Sequence, residues 1–295
     1  MPSLKEVKNR ISSVVSTQQI TKAMKMVAAA KLRRAQDRIV QMRPYALKLE
    51  AILRNLSQAQ TNSDNDKWYS EQRGEERILI IAVTSDRGLC GSFNSAVCRG
   101  VMKLIEDDYQ AQHNKGNVVI LPIGKKAAEY FAKRNFQQIA EYTTLFSDLS
   151  FDTAAQVAQT AMDKFRFGAF DKVLLIYNEF KNVATQILRT QQLLPIQLPE
   201  VEAARSTPTD YIYQPDQEEI ITKLIPNSLK VQVFKALLDS NAAEHGARMT
   251  AMDKATDNAG ELLKELRLSY NRSRQAAITK EILEIVGGAE ALKAS

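Results

Sequence analysis

Apolar residues recur in alternating steps of three and four through the N-terminal part of the chain. Sixteen positions follow this spacing from Leu4 onward, and thirteen of them carry apolar side chains. Such a heptad seam is typical of helices that pack against one another along their length. The pattern predicts an N-terminal coiled-coil helix over residues 1–60, with Ser3 as its N-cap and Glu6 as the capping-box partner. Pro44 is expected to kink this helix or to break it locally.

Short apolar runs replace the heptad spacing in the middle of the chain. They alternate with segments of helical spacing, and this order favours a mostly parallel sheet covered by helices. We therefore predict a Rossmann-like α/β domain over residues 75–208, preceded by a polar linker and closed by a proline-rich segment. The expected strands are residues 78–83, 117–123, 172–177 and 185–194, and the expected helices are residues 94–113, 125–134 and 152–167.

The helical period returns after this domain and continues almost to the last residue. Residues 209–287 are predicted to form a C-terminal coiled-coil helix, with a break near Pro226 and its end at Gly287 and Gly288. Isolated helices of this length are marginally stable in water, so two of them are expected to pack together. The expected fold is an antiparallel coiled coil of the N- and C-terminal helices, with the α/β domain inserted between them.

Charge is distributed unevenly along the chain. Residues 1–60 hold twelve Lys or Arg against three Asp or Glu, whereas the whole chain has a net charge of +6. The N-terminal segment should therefore have an acidic partner, for which nucleic acid and an acidic protein surface both qualify. A nucleic-acid-binding coiled coil would combine its basic residues with exposed aromatic ones, and Tyr45 is the only aromatic residue of the segment.

The sequence predicts no catalytic, cofactor-binding or metal-binding residue. Residues 85–94 lie between a strand and a helix, but they lack the spacing and the lysine of a phosphate-binding loop. Gly88 and Gly91 are therefore expected only to allow a tight turn. His113 and His245 have no partners at metal or triad spacing and are expected at the surface or in the helix seam. Besides a nucleic-acid-binding coiled coil, the second alternative function is an enzyme that uses the α/β domain. Such an enzyme would need a catalytic cluster at the strand ends.

The sequence also bears on the compartment of the protein. It contains no apolar run of the roughly 20 residues that a membrane-spanning helix needs, so membrane insertion is not expected. Its first residues resemble neither a secretory signal nor a transit peptide. The two cysteines are too few for a disulfide framework, and a reducing cytoplasm is therefore expected.

Three polar residues interrupt the N-terminal seam at consecutive seam positions. They are Gln18, Thr21 and Lys25, and polar seam residues lower the stability of a helix pair while they can specify its register. Two compatible interpretations follow. In the first, the two helices separate at this point, or the seam drifts around the helix. In the second, this part of the helix pair faces a different partner.

Four blocks of the sequence, spread in order over the whole chain, resemble those of F-type ATP synthase gamma subunits. One block would be weak evidence, whereas four in this order are specific to the family. They are ITKAMKMVAAAKL at residues 20–32, SDRGLCGSFN at residues 85–94, ARMTAM followed by ATDNA within residues 247–259, and RQAAITKEILEIVGGA at residues 274–289.

The resemblance implies a non-catalytic subunit without a cofactor that serves as the central stalk of the synthase. The helix pair would pass through a ring of alternating alpha and beta subunits, and the α/β domain would sit with the epsilon subunit on the c-ring. Ion flow would turn this shaft and drive the beta subunits through different nucleotide affinities. The chain would be a peripheral membrane protein on the cytoplasmic face of the bacterial plasma membrane, with a processed organellar protein as the alternative; nucleic acid is not among the implied partners.

The resemblance also assigns roles to individual positions. Met24 and Lys25 match the place where the family contacts an acidic loop of the beta subunit. Tyr211 and Gln214 match the segment that meets the c-ring and epsilon, although some members have a glutamate in place of Gln214. No inserted cysteine pair precedes the C-terminal helix, so thiol regulation of the chloroplast type is not expected. The remaining expected contacts with the alpha and beta subunits are Arg248, Arg274, Gln275, Thr279 and Glu281.

Overall fold

The N-terminal heptad segment forms a single helix, α1, over Leu4–Gln58. The structure, a computed structural model, describes residues 3–58, 69, 71–183, 185–196 and 217–293. The backbone N–H of Glu6 donates to Oγ of Ser3 at 3.2 Å, which confirms the predicted cap. Pro44 lies inside the helix, so the local break predicted there is wrong. Ala35 and Leu49, on either side of it, are both buried.

A five-stranded sheet follows, as the alternating pattern predicts. Strands β1 (Ile78–Val83), β2 (Val118–Ile123), β3 (Gln137–Gln138) and β4 (Lys172–Phe180) are parallel, and β5 (Gln186–Leu194) is antiparallel to β4. The strand order is β3-β2-β1-β4-β5. In the register of the central strands, Ile80 of β1 lies opposite Ile120 of β2 and Leu174 of β4.

Helices cover both faces of this sheet. They are α2 (Phe93–Asp108), α3 (Gln110–Asn114), α4 (Lys125–Ala132) and α5 (Phe151–Arg166). Alternate residues of β1 point to opposite faces. Ile78 and Ile80 pack with α2 and α4, whereas Leu79 and Ile81 pack with α5. Because both faces are covered, all six residues of β1 are buried, which accounts for its uninterrupted apolar run.

The C-terminal helix, α6, spans Gln217–Lys293 and completes the core of the α/β domain. Leu229, Val233, Ala236 and Leu237 lie in the same buried cluster as α5 and one face of the sheet. Their packing fixes this part of α6 to the domain, and the helix continues through Pro226, so the break predicted there is wrong.

The predicted end of α6 at Gly287 and Gly288 is also wrong, because the helix continues to Lys293. Glycine ends a helix where it adopts a left-handed conformation, and neither residue has a positive φ. Both therefore sit in the helix at the usual penalty of about 1 kcal/mol each relative to alanine. The domain limits proposed at residues 60, 208 and 209 lie outside the described residues.

The chain divides into two compact units. One comprises Met1–Ala28 with Met249–Ser295, and the other comprises Ala29–Arg248. In the first unit the two helix segments run antiparallel, with Lys25 opposite Asp253 and Gln18 opposite Gly260. This arrangement confirms the predicted antiparallel pairing of α1 and α6.

Candidate functional site

The crevice where open α/β sheets of this kind bind ligands is filled by the chain itself. Such ligands lie at the carboxyl ends of the strands, where the strand order reverses, here between β1 and β4. Cys90 and Phe93, which follow β1, pack there with Phe180 of β4 and with Ala243 and Ala247 of α6. The place is therefore a joint between α6 and the sheet.

The turn at residues 85–94 is held by a network of polar contacts rather than by glycine alone. Oδ1 of Asn94 accepts from the backbone N–H of Ser85 at 2.9 Å, and Nδ2 of Asn94 lies 3.2 Å from Sγ of Cys90. Leu89, not Gly88, adopts a left-handed φ of 63° together with Gly91 at 60°. Burial raises the pKa of the Cys90 thiol and raises that of Cys98 to about 11, so neither is a reactive thiolate near neutral pH.

Arg248 ties this turn to α6. Its guanidinium donates to the carbonyl oxygens of Arg87 and Gly88, both at 3.2 Å, and forms an ion pair with Glu244. The side chains of Arg248 and Glu244 are only 12% and 9% exposed. Burial raises the pKa of Glu244, and the nearby guanidinium opposes this change. In the isolated chain, Arg248 therefore makes internal contacts, and its predicted contact with other subunits stays a prediction.

Two further ionisable residues are buried on α6. Asp239 lines a cleft together with Arg43, Glu179 and Lys235, and burial raises its pKa to about 6. Burial lowers the pKa of His245 to about 4, and Nδ1 of this imidazole has no hydrogen-bond partner in the described structure. Of the two predicted locations of His245, the surface is wrong because the side chain is buried, and the nearby charge of Lys31 on α1 agrees with a place in the helix seam. His113 is exposed and stacks on Phe136, as expected of a surface residue.

The three polar seam residues of α1 are matched by polar groups on α6. Nζ of Lys25 forms an ion pair with Asp253. Oγ1 of Thr21 lies 2.8 Å from Oγ1 of Thr256, and Nε2 of Gln18 donates to the carbonyl oxygen of Thr256 at 3.4 Å. We call these five residues the polar ladder. These contacts and the burial of Thr21 show that the helices do not separate at this point.

Met24 lies half-buried beside the polar ladder, whereas the far end of α6 is open. The register of the pair places Leu4 opposite Arg274, so later residues of α6 have no counterpart in the described part of α1. Arg274, Gln275, Thr279 and Glu281 are all exposed there, and the hydroxyl of Thr279 donates to the carbonyl oxygen of Gln275 at 2.9 Å. The same stretch exposes a stripe of large apolar side chains, namely Ile278, Ile282, Leu283, Ile285 and Val286, each about half exposed or more.

Sequence reasoning missed the residues that complete these contacts. Glu244 could have been found from its i,i+4 spacing to Arg248, which is visible in the sequence. Asp253 and Thr256 could not, because their pairing depends on the register between two helices far apart in the chain. Tyr211 and Gln214 lie outside the described residues.

The described residues contain no group of three or more His, Cys, Asp or Glu side chains that could hold a metal ion. None of the helices in the described ranges combines the length and the apolar character needed to cross a membrane.

Comparison with known proteins gives matches over nearly the whole chain. Residues 3–292 match the family described as ATP synthase. The ATP synthase gamma chain of Cytophaga hutchinsonii is 58% identical over 294 residues, which is 99% of both chains. The gamma chain of Chlorobaculum tepidum is 50% identical over 293 residues, covering 99% of this chain and 100% of the relative.

Chains in solved structures of mitochondrial ATP synthases share the fold. A central-stalk chain of the Tetrahymena thermophila mitochondrial ATP synthase has a TM-score of 0.58 at 26% identity, covering 80% of this chain and 99% of that one. A chain from the Euglena gracilis mitochondrial ATP synthase has a TM-score of 0.64 at 20% identity, covering 99% of this chain and 95% of that one. The second likeness concerns the fold alone.

Proposed function

Because the chain belongs to the ATP synthase gamma chain family, we infer that it is the central-stalk subunit of an F-type ATP synthase, which has no catalytic site of its own. The observation that carries this function is the exposed apolar stripe on the end of α6. Five large apolar side chains are exposed there within the part of the chain that the structure describes, and they need a surrounding partner because such surfaces mark interaction sites. A ring of subunits that encloses the helix would cover them.

The partners are the alpha and beta subunits, the epsilon subunit and the c-ring. A pair of helices has no threefold symmetry, so it presents a different face to each of three beta subunits. Each angle of the shaft then favours one conformation of each beta subunit, and rotation exchanges these preferences in turn. Rotation of the c-ring by ion flow is coupled in this way to ATP synthesis, and ATP hydrolysis drives the reverse rotation.

Individual contact positions follow from the same reasoning. We place Met24, Arg274, Gln275, Thr279 and Glu281 against the alpha and beta subunits, because all five are exposed or half-buried on the helix pair. Lys25 would lie at the edge of this contact with its ammonium shared with Asp253. Arg248 would act from inside the joint, and Tyr211 with Gln214 would meet the c-ring and epsilon.

The chain is a peripheral part of a membrane-associated complex. We place it on the cytoplasmic face of a bacterial plasma membrane, because the relatives that share half or more of its residues, such as that of Cytophaga hutchinsonii, are bacterial gamma chains. We also propose the domain limits 1–60, 75–208 and 209–287, with the extension of the last helix to Lys293.

The deciding experiment measures ATP hydrolysis by purified alpha and beta subunits with and without this chain. A bead attached to the α/β domain would be observed in the same particles. We expect the chain to join the alpha–beta ring, to stimulate hydrolysis and to turn the bead in one direction. Absence of both association and any change in turnover would rule out the stalk function.

A further inference from the structure

The polar ladder places polar side chains at three successive seam positions of α1, namely Gln18, Thr21 and Lys25. Buried apolar residues lie beside and between these contacts, namely Ala28 of α1 and Met252, Ala259 and Leu263 of α6. Polar contacts therefore accompany the apolar packing of the two helices along this stretch. Polar contacts in a helix seam lower stability but restrict which pairings are allowed.

We propose that Asp253 positions Lys25, and that this pair needs opposite charges on the two helices rather than a positive charge on α1. The ammonium and the carboxylate are in direct contact, with side chains 40% and 48% exposed. They lie one turn from the partly buried contact of Thr21 with Thr256, so either side chain that lost its counterpart would leave an unpaired charge beside this polar contact in the seam. This inference deepens the proposed function and rests on it for one of its two measurements.

The alternative is that Lys25 serves as a fixed positive charge for an acidic partner. The two ideas differ in what they require of Asp253. If Lys25 acts on a partner, Asp253→Lys should leave ATP turnover unchanged, because it adds positive charge at the same place. If Lys25 acts within the chain, Asp253→Lys should lower turnover as much as Lys25→Asp does. Exchange of the two charges should then restore turnover.

The test is a double-mutant cycle in the complete chain assembled with alpha and beta subunits. We expect Lys25→Asp and Asp253→Lys each to lower ATP turnover about twofold to fivefold, as the loss of a partly exposed pair plus like-charge repulsion implies. The double variant Lys25→Asp/Asp253→Lys should return close to the wild-type turnover. Asp253→Glu, which keeps the charge, should retain it as well.

Lys22→Gln is the control for loss of charge. Lys22 is exposed one turn before Lys25 on the same helix, and it has no ion-pair partner in the described structure. This change removes one positive charge from the same region without placing a carboxylate beside Lys25, so its effect on turnover should not depend on whether residue 253 is Asp or Lys. If Asp253→Lys is harmless while the double variant stays as impaired as Lys25→Asp, the proposal is overturned.

A second measurement separates this inference from the proposed function. The same cycle is followed by thermal unfolding of the full chain without partners, where the two single reversals should lower the midpoint and the exchange should restore it. If reversal prevents folding, Lys25→Met/Asp253→Leu should fold while Lys25→Met alone is less stable. A wild-type chain that fails to join the ring would refute the stalk function, whereas additive effects in the unfolding cycle would refute the pairing.

Discussion

Asp239 and His245 lie six residues apart on α6, and burial shifts their pKa values in opposite directions. The pKa of Asp239 rises from 3.8 to about 6, so its contribution to stability is present below pH 3.8 and is lost as the pH rises to about 6. The pKa of His245 falls from 6.5 to about 4, so its contribution is present above pH 6.5 and is lost as the pH falls to about 4. Each pKa shift changes the free energy of unfolding by about 3 kcal/mol over its pH range. The two changes have opposite signs, so the dependence of stability on pH nearly cancels in the wild type.

Removing either group should leave the pH dependence of stability that the other group causes. Relative to the wild type, Asp239→Asn should gain about 3 kcal/mol of unfolding free energy between about pH 4 and about pH 6.5, and His245→Gln should lose about as much. Urea unfolding across this range measures both. Parallel curves for the two variants would show that burial does not shift these pKa values.

Arg248 is expected to matter for stability as well as for coupling. Arg248→Met leaves the Glu244 carboxylate buried without its partner, and loss of one member of a buried pair costs about 3–5 kcal/mol. Arg248→Met/Glu244→Leu removes both charges and should recover most of that loss. Denaturant unfolding of the two variants checks this, and equal destabilisation by both would contradict it.

Gly124 occupies a position that no other residue can take without backbone movement. It has a φ of 93°, and a Cβ there would lie 2.2 Å from the carbonyl oxygen of Thr84. Gly124→Ala should therefore lower the unfolding free energy by about 3 kcal/mol or more. Gly88→Ala is the control, because nothing lies within 4 Å of its Cβ position and its φ is not positive, so its unfolding midpoint should hardly change.

At the scale of the elements, the apolar pattern predicted those strands and helices whose buried faces consist of regularly spaced apolar residues. β1 has six buried residues and was predicted to the residue. β3 consists of Gln137 and Gln138, which carry no apolar pattern, and only pairing with β2 makes them a strand. The burial of His245 and the polar ladder depend on contacts between distant segments, so no local spacing could indicate them.

The two glycines near the end of α6 offer a prediction about this element. Gly287→Ala/Gly288→Ala should stabilise the last turns by about 2 kcal/mol in total, because helical glycine is about 1 kcal/mol less favourable than alanine and nothing lies within 4 Å of either Cβ position. Amide hydrogen exchange of the last turns should slow accordingly. Unchanged exchange would mean that these turns are not helical in solution.

At the scale of the whole molecule, surfaces for internal packing and for external contact occupy different parts of the chain. The buried cluster of the α/β domain includes α6 as far as Leu237, and the joint with the turn after β1 extends to Ala247. The side chains of residues 274–289 of α6 are exposed. Changes there should leave folding intact and affect assembly.

The triple variant Ile278→Ser/Ile282→Ser/Ile285→Ser tests this separation. Its free energy of unfolding should match that of the wild type within about 1 kcal/mol, because exposed substitutions away from special features have small effects. Its affinity for the alpha–beta ring should fall at least tenfold, since apolar area that is buried on binding is lost. A loss of folding stability equal to the loss of binding would contradict the assignment of this stripe to a partner.

The contribution of α6 to the core of the sheet has a consequence for synthesis on the ribosome. The last strand ends at Leu194, but Leu237 must emerge before α6 completes the cover that α5 begins on one face of the sheet. At roughly 5–20 residues per second, the 43 residues between them take about 2–9 seconds to make. For that interval the nascent chain presents an apolar sheet face that α5 covers only in part, and this is the stage at which a chaperone would engage it.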